Sequence, residues 1–327
     1  MKKSLTRKLT IAVIALVFAV VSLSTSTYAW FTMSNEADIQ AFDATVKAGQ
    51  GIEIAITAEE NRGNAPWYTG TVPSDDIQAI ANPNHNTFKF DAVNPTTLSY
   101  GGFTYSDING QTIANTNKGW IEFYVHIKSA EAGKIYLDQI TLDSVANTWT
   151  VDAPFIVAAN GAPTDPLAVN SQIEYKVENA ARVSLTKFEN GNPVNYIYEK
   201  DDENYAPAII NGENVEATPA KAGNTYGFGT SEKGALQYYN VKNPTATVAT
   251  KQANYSTNKL SALVDEVREE DNEQVVTKKM ELLSEVGANG EITFLVSVWI
   301  EGWDAECLNA IFGQKLSVAI EFYFQKN

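Results

Sequence analysis

Apolar residues recurring at every second position limit what this chain can fold into. Ile52, Ile54 and Ile56 alternate with Glu53, Ala55 and Thr57. Ile121, Phe123, Val125 and Ile127 alternate with Trp120, Glu122, Tyr124 and His126, which places His126 on the outward face. Near the end, Leu316, Val318, Ile320 and Phe322 alternate with Ser317, Ala319, Glu321 and Tyr323. A period of two puts one set of side chains on one face of a strand, so each stretch predicts a strand with one buried face. Thr87–Ala92, Ile135–Leu142, Ile173–Val177, Ala181–Phe188 and Glu291–Trp299 are further candidates. Between them lie Asn82-Pro83-Asn84-His85-Asn86, Asp107-Ile108-Asn109-Gly110 and Glu189-Asn190-Gly191-Asn192-Pro193. Gly and Asn tolerate the left-handed backbone of tight turns, so these clusters predict hairpins. Many strands joined by such turns predict an all-β fold, a jelly-roll-like β-sandwich with long loops.

One region departs from this period. Leu260, Leu263, Val264 and Val267 have the spacing of one helical face, with Thr257 or Asn258 as a cap. Val275, Val276, Met280 and Leu283 extend the pattern beyond an acidic interruption, so one or two short helices are expected here. Residues 189–258 are polar and weakly periodic, which suggests an insertion at about 189–285 within a single domain spanning 30–327.

Residues 1–29 differ from the rest in composition. Lys2, Lys3, Arg7 and Lys8 precede an unbroken apolar run from Ile11 to Val21, and small residues lead to Ala29. This is the layout of an export signal, with cleavage expected between Ala29 and Trp30. The apolar run is about half of the ~20 residues that a spanning helix needs, so retention as an anchor is the weaker expectation. The protein is therefore expected outside the cytoplasm, touching a membrane only through that segment. The formal charge is −15, and removing four positive charges with the signal makes it more negative still. A chain this acidic repels phosphate backbones, so no nucleic-acid partner is expected.

Tyr28-Ala29-Trp30-Phe31-Thr32, followed by Asn35 to Val46, resembles the start of secreted surface proteins of Firmicutes that carry SipW-type signals, the TasA/camelysin-like biofilm-matrix family. Trp299 to Cys307 also resembles a segment near the end of many predicted surface proteins from such bacteria. The two segments cover some 30 of the 327 residues. The resemblance implies a matrix or cell-surface scaffold whose partner is itself, as a homopolymer, together with other matrix or surface proteins. It also implies a protease activity, assigned to camelysin, for which the chain offers no residues. Cleavage would free an apolar tip containing Phe31 and Met33 that leads into Ile39 and Phe42. Such a strand can add to a neighbour's open sheet edge, and head-to-tail addition propagates into a filament. Alternatively, residues 30–46 form the first strand of their own sandwich. The alternation slips between Ile39 and Phe42, which predicts a bulge or a bend there.

Catalytic signals are sparse. No HExxH occurs, and His85 and His126 are the only histidines. Asp107-Ile108-Asn109-Gly110 opens like a calcium loop but lacks the later glycine and glutamate, so a turn is expected. Asp201-Asp202-Glu203 are candidates for calcium in another geometry; no other cofactor or metal is expected. Glu301 and Asp304, flanked by Trp299 and Trp303, form the one carboxylate pair beside aromatic platforms. Their three-residue spacing suits a glycosidase poorly, because its carboxylates flank the scissile bond. A ligand or partner edge formed by Trp303, Glu301 and Asp304 is the better reading. Cys307, the single cysteine, excludes an internal disulfide and reads as a small buried residue. A non-enzymatic scaffold subunit is thus expected, with an adhesin-like binding module for glycan or host ligand as the alternative and a secreted hydrolase as a remote one.

Overall fold

The computed structural model describes residues 40–81, 89–99, 101–114, 118–157, 165–200, 208–215, 234–245, 258–259, 264–270, 274–311 and 313–327. It is an all-β sandwich. The first layer centres on β19 (Gly290–Glu301), flanked by β8 (Ile121–Ser129) and β12 (Ala181–Glu189). Outside them lie β2 (Ile52–Thr57) on one side, and β13 (Asn192–Glu199) and β16 (Asn258–Lys259) on the other. Past the end of β8, β19 is met by β5 (Ala92–Ser99), which pairs in turn with β6 (Gly102–Ser106). The second layer runs β17 (Val264–Glu270), β18 (Gln274–Val286), β9 (Gly133–Asp143), β20 (Lys315–Lys326), β1 (Gln40–Lys47) and β3 (Thr71–Val72). A small sheet of β10 (Asn147–Thr150), β11 (Gln172–Tyr175), β14 (Ala208–Ile210) and β15 (Glu213–Val215) and the pair β4 (Lys89–Phe90) with β7 (Lys118–Gly119) complete the strands. Among the described residues the α-helices are α1 (Ser74–Ala81) and α2 (Gly234–Lys242). Among the described residues no helix is long and apolar enough to cross a membrane.

The predicted alternation builds the core. Phe123, Val125 and Ile127 of β8 and Phe294, Val296 and Val298 of β19 face Leu316, Val318, Ile320 and Phe322 of β20, all buried. Phe294 and Phe322 stack across the layers with ring centroids 6.3 Å apart. In β9 the buried positions switch from Ile135 and Leu137 to Ile140 and Leu142, and a register shift against β20 accommodates the switch. One inserted residue flips the alternation, so the bulge keeps both pairs inward. A second irregularity skips Leu283 of β18; its carbonyl accepts from Lys187 Nζ (2.7 Å) and Tyr196 OH (3.4 Å) of the opposite layer.

The helices expected over 260–283 are corrected, at Val264–Glu270 and Gln274–Val286, to the antiparallel strands β17 and β18; residues 260–263 lie outside the described residues. The i, i+3, i+4 spacing of Leu260 to Val267 mimics a helical face, but pairing decides the conformation. The register runs antiparallel from Val264 opposite Met280 to Glu270 opposite Gln274. The stretch expected as an insertion contributes β13 and β18 to the two main layers. At its start, Asn190 (φ 52°) and Gly191 (φ 78°) turn β12 into β13, as the cluster there predicted.

The outer face of the first layer is also covered. Phe103 and Tyr105 of β6 pack with Trp120 and Trp299 in a second aromatic cluster, the Tyr105 and Trp120 rings 4.1 Å apart. Over β2 and β8, Trp67 lies between Arg62 and Lys128, whose charged groups sit 4.7 and 4.4 Å from its ring. That cover explains why His126, expected on an exposed face, is only 1% exposed.

Candidate functional site

The chain leaves β19 at Glu301 and folds tightly back: Asp304 N–H donates to Glu301 O (3.1 Å) and Cys307 N–H to Asp304 O (3.1 Å). The whole run Glu301–Leu308 is buried. Glu301, fully buried, accepts from the indole of Trp299 (3.2 Å) and the N–H of Trp303 (3.4 Å). Asp304 accepts from Glu306 N–H (2.9 Å) and from Arg182 Nη2 (2.7 Å). Arg182 of β12 also pairs with Glu199 of β13 at 2.9 Å and donates to the carbonyls of Asn179 and Ala181. Burial pulls against its charge, but Glu199, Asp304 and Glu301 outweigh that and hold the guanidinium well above its ordinary pKa.

Trp303, Glu301 and Asp304 therefore form no exposed edge, which corrects the expectation placed on them. Trp303 is 7% exposed, and both carboxylates are committed within the protein. Arg182, 122 residues from Asp304 in sequence, brings one positive charge that offsets part of the burial of Glu199, Glu301 and Asp304. Nothing beside Glu301 and Asp304 in sequence signals it; the only hint is an arginine inside the apolar alternation of Ala181–Phe188. Gln314 likewise carries no signal in the sequence; it ties Val177 N–H, Tyr175 O and Ala310 O together. Cys307 is buried, and burial, reinforced by Asp304 and Glu301, raises its thiol well above the ordinary range. It is a protonated core residue.

His126 is held between Thr57 Oγ1 (2.8 Å from Nε2) and Thr293 Oγ1 (2.9 Å from Nδ1). Burial lowers its pKa; Glu291, 3.6 Å away, opposes this and Arg62 adds to it, so the ring is neutral near pH 7. Asp107 forms the expected turn, accepting from Asn109 N–H (2.9 Å) and Gln111 N–H (2.8 Å). His85 and Asp201-Asp202-Glu203 lie outside the described residues. Among the described residues no group of three or more His, Cys, Asp or Glu is placed to hold a metal ion.

Ala29, Trp30, Phe31, Met33 and Ile39 also lie outside the described residues, while Phe42 falls in β1. β1 runs parallel to β20, from Gln40 opposite Lys315 to Lys47 opposite Glu321, with a register shift between Gln40 and Asp43. This strand thus sits in its own sandwich over residues 40–47, and the shift lies where the sequence predicts a bulge. Ala44 and Val46 point into the core at 2% and 1% exposure. On its far side β1 pairs with β3 only at Val46 and Lys47. A short link, Ala48-Gly49-Gln50-Gly51, carries the chain across to β2. Gly51 takes φ 82°, and a Cβ on Gly49 would lie 2.7 Å from the Phe322 carbonyl oxygen, so glycine is required at both positions. The seat that β20 and β3 provide for β1 is the candidate functional site. Comparison with protein-family profiles, with curated proteins and with solved structures finds no match for this chain.

Proposed function

We propose that this is a secreted structural protein of the bacterial cell surface or matrix. Its subunits join when the N-terminal strand of one copy takes the β1 seat of the next. The observation that carries this reading is β1 itself. It is a parallel strand at the margin of its sheet and is tethered by a glycine-bearing link. A second copy offers the same seat with the same partners, so exchange preserves every contact of the strand. Exchange in one direction leaves an empty seat at one end and a free strand at the other, and such a head-to-tail contact grows into a filament. The sequence resemblance points the same way, and the acidic charge keeps free subunits soluble.

The test is a reversible lock. Thr45 and Ala319 are direct partners between β1 and β20. A Thr45→Cys, Ala319→Cys variant in a Cys307→Ser background, oxidised as a monomer, holds β1 in its own seat. Electron microscopy should show filaments from the reduced form and monomers from the oxidised form. Filaments from the oxidised monomer would overturn strand exchange, as would a reduced form that stays monomeric at every concentration.

A further inference from the structure

Residues 58–70 leave β2, carry Arg62 and Trp67 over the outer face of the first layer, and come back to the edge of β2. There Tyr68 N–H donates to the Ile54 carbonyl (2.7 Å) and Ile54 N–H to the Tyr68 carbonyl (2.9 Å). On its other side β2 pairs with β8. Every residue from 58 to 70 is exposed or half-buried. A segment of this kind opens at a lower free-energy cost than the sheet beneath it.

Beneath the segment lies His126, and its hydrogen bonds are arranged for a neutral ring. Thr57 Oγ1 donates to the Glu59 carbonyl (2.5 Å), so toward His126 it accepts, and Nε2 carries the proton. Nδ1 is then the acceptor for the Thr293 hydroxyl. A second proton, at Nδ1, removes that acceptor and sets a cation 3.6 Å from Glu291 of β19. Arg62 already approaches the same carboxylate at 3.9 Å, while its guanidinium packs on Trp67 and donates to the Ala65 carbonyl. The imidazolium thus competes with Arg62 for Glu291 and repels it.

The other charges nearby do not reverse this. Glu60 favours the imidazolium, and Lys128 pairs with Glu53 at 3.0 Å. Burial dominates and holds the covered ring below its ordinary pKa, whereas an uncovered ring regains about 6.5. Below that pH, proton uptake therefore favours the uncovered form.

We propose that residues 58–70 are an acid-released cover: protonation of His126 displaces Arg62 from Glu291 and lifts the segment, freeing Trp67 and the edge of β2. The proposal is independent of strand exchange, which concerns β1 in the other layer.

Hydrogen exchange of the full chain as a function of pH, corrected for intrinsic rates and read by mass spectrometry, tests it. Protection of peptides carrying Ile54 and Tyr68 should fall by up to about tenfold per pH unit below about pH 6.5, while the β8–β19 ladder keeps its protection. His126→Gln should flatten that dependence. In a His85→Gln background, where His126 is the sole histidine, its ring should titrate in nuclear magnetic resonance spectra over the range in which protection falls. Protection that ignores pH, a loss that persists in His126→Gln, a loss shared equally by the β8–β19 ladder, or a ring that titrates apart from the opening would each overturn the assignment.

Discussion

Truncating Arg182 to alanine takes away the cation 2.9 Å from Glu199 and 2.7 Å from Asp304, and leaves those carboxylates 4% and 3% exposed. With charge centres about 4 Å apart and an effective dielectric constant of about 20, each pair is worth about 4 kcal/mol before desolvation. Desolvation cancels much of that while the pair is intact, but removing one partner leaves the other charges buried and uncompensated. Such losses run to about 3–5 kcal/mol. The carbonyls of Asn179 and Ala181 also lose a donor each, at about 1 kcal/mol apiece where water cannot replace it. Arg182→Ala should therefore cost about 4 kcal/mol or more. Urea unfolding followed by tryptophan fluorescence measures this, with Trp299 and Trp303 reporting from beside the network. The deficit should shrink on acidification, as protons take the place of the missing guanidinium. The triple variant Arg182→Met, Glu199→Gln, Asp304→Asn should recover most of the loss, since it strands neither carboxylate that the guanidinium pairs with. A cost below about 1 kcal/mol at neutral pH would refute the reasoning, and so would a cost equal at acid and neutral pH.

Three further outcomes are expected. Because burial lowers the pKa of His126, the unfolded chain takes up that proton first; its contribution to stability is full above about pH 6.5 and is lost as pH falls through the lower folded value. The urea midpoint of His126→Gln should thus fall less steeply than wild type below that pH, and parallel curves would exclude the mechanism. Gly49→Ala should cost about 1–3 kcal/mol in the same unfolding assay, because the Phe322 backbone must retreat; no loss would mean that the link to β2 is loosely seated. Cys307 should stay silent to a thiol reagent in the native protein and react fully in urea, and rapid native labelling would contradict its burial.

The strands that face the core were legible because alternation is a local signal: Phe123 to Ile127 and Leu316 to Phe322 each state their buried face within one strand. The hairpin β17–β18 was not, since a helical spacing and a bulged strand can share one apolar pattern. What separates them is the partner strand, which a local pattern does not contain. The same limit hid the environment of Glu301 and Asp304. Read locally, two acids beside tryptophans look like a surface; Arg182 arrives from β12 and Glu199 from β13. His126 misled in the same way. A period of two assigns it to the outer face correctly, but says nothing of Trp67 and Arg62 lying near that face.

The parallel pairing of β1 with β20 joins the first described strand to the last, and Lys47 meets Glu321 across 274 residues. During synthesis β1 emerges well before the strand it must lie against, Lys47 being made 274 residues ahead of Glu321. Until β20 follows, the sandwich lacks this margin and β1 has no place to go, although the hairpins between can already form. Pairing β1 with β20 is therefore a late, long-range step, and under the proposed strand exchange it becomes a race in a crowd of sister chains. The tether to β2 gives the chain's own strand a high local concentration, while under that exchange a neighbour's strand would compete in proportion to how many neighbours there are. Strand exchange would thus tie the final pairing of this polypeptide to how densely it is produced.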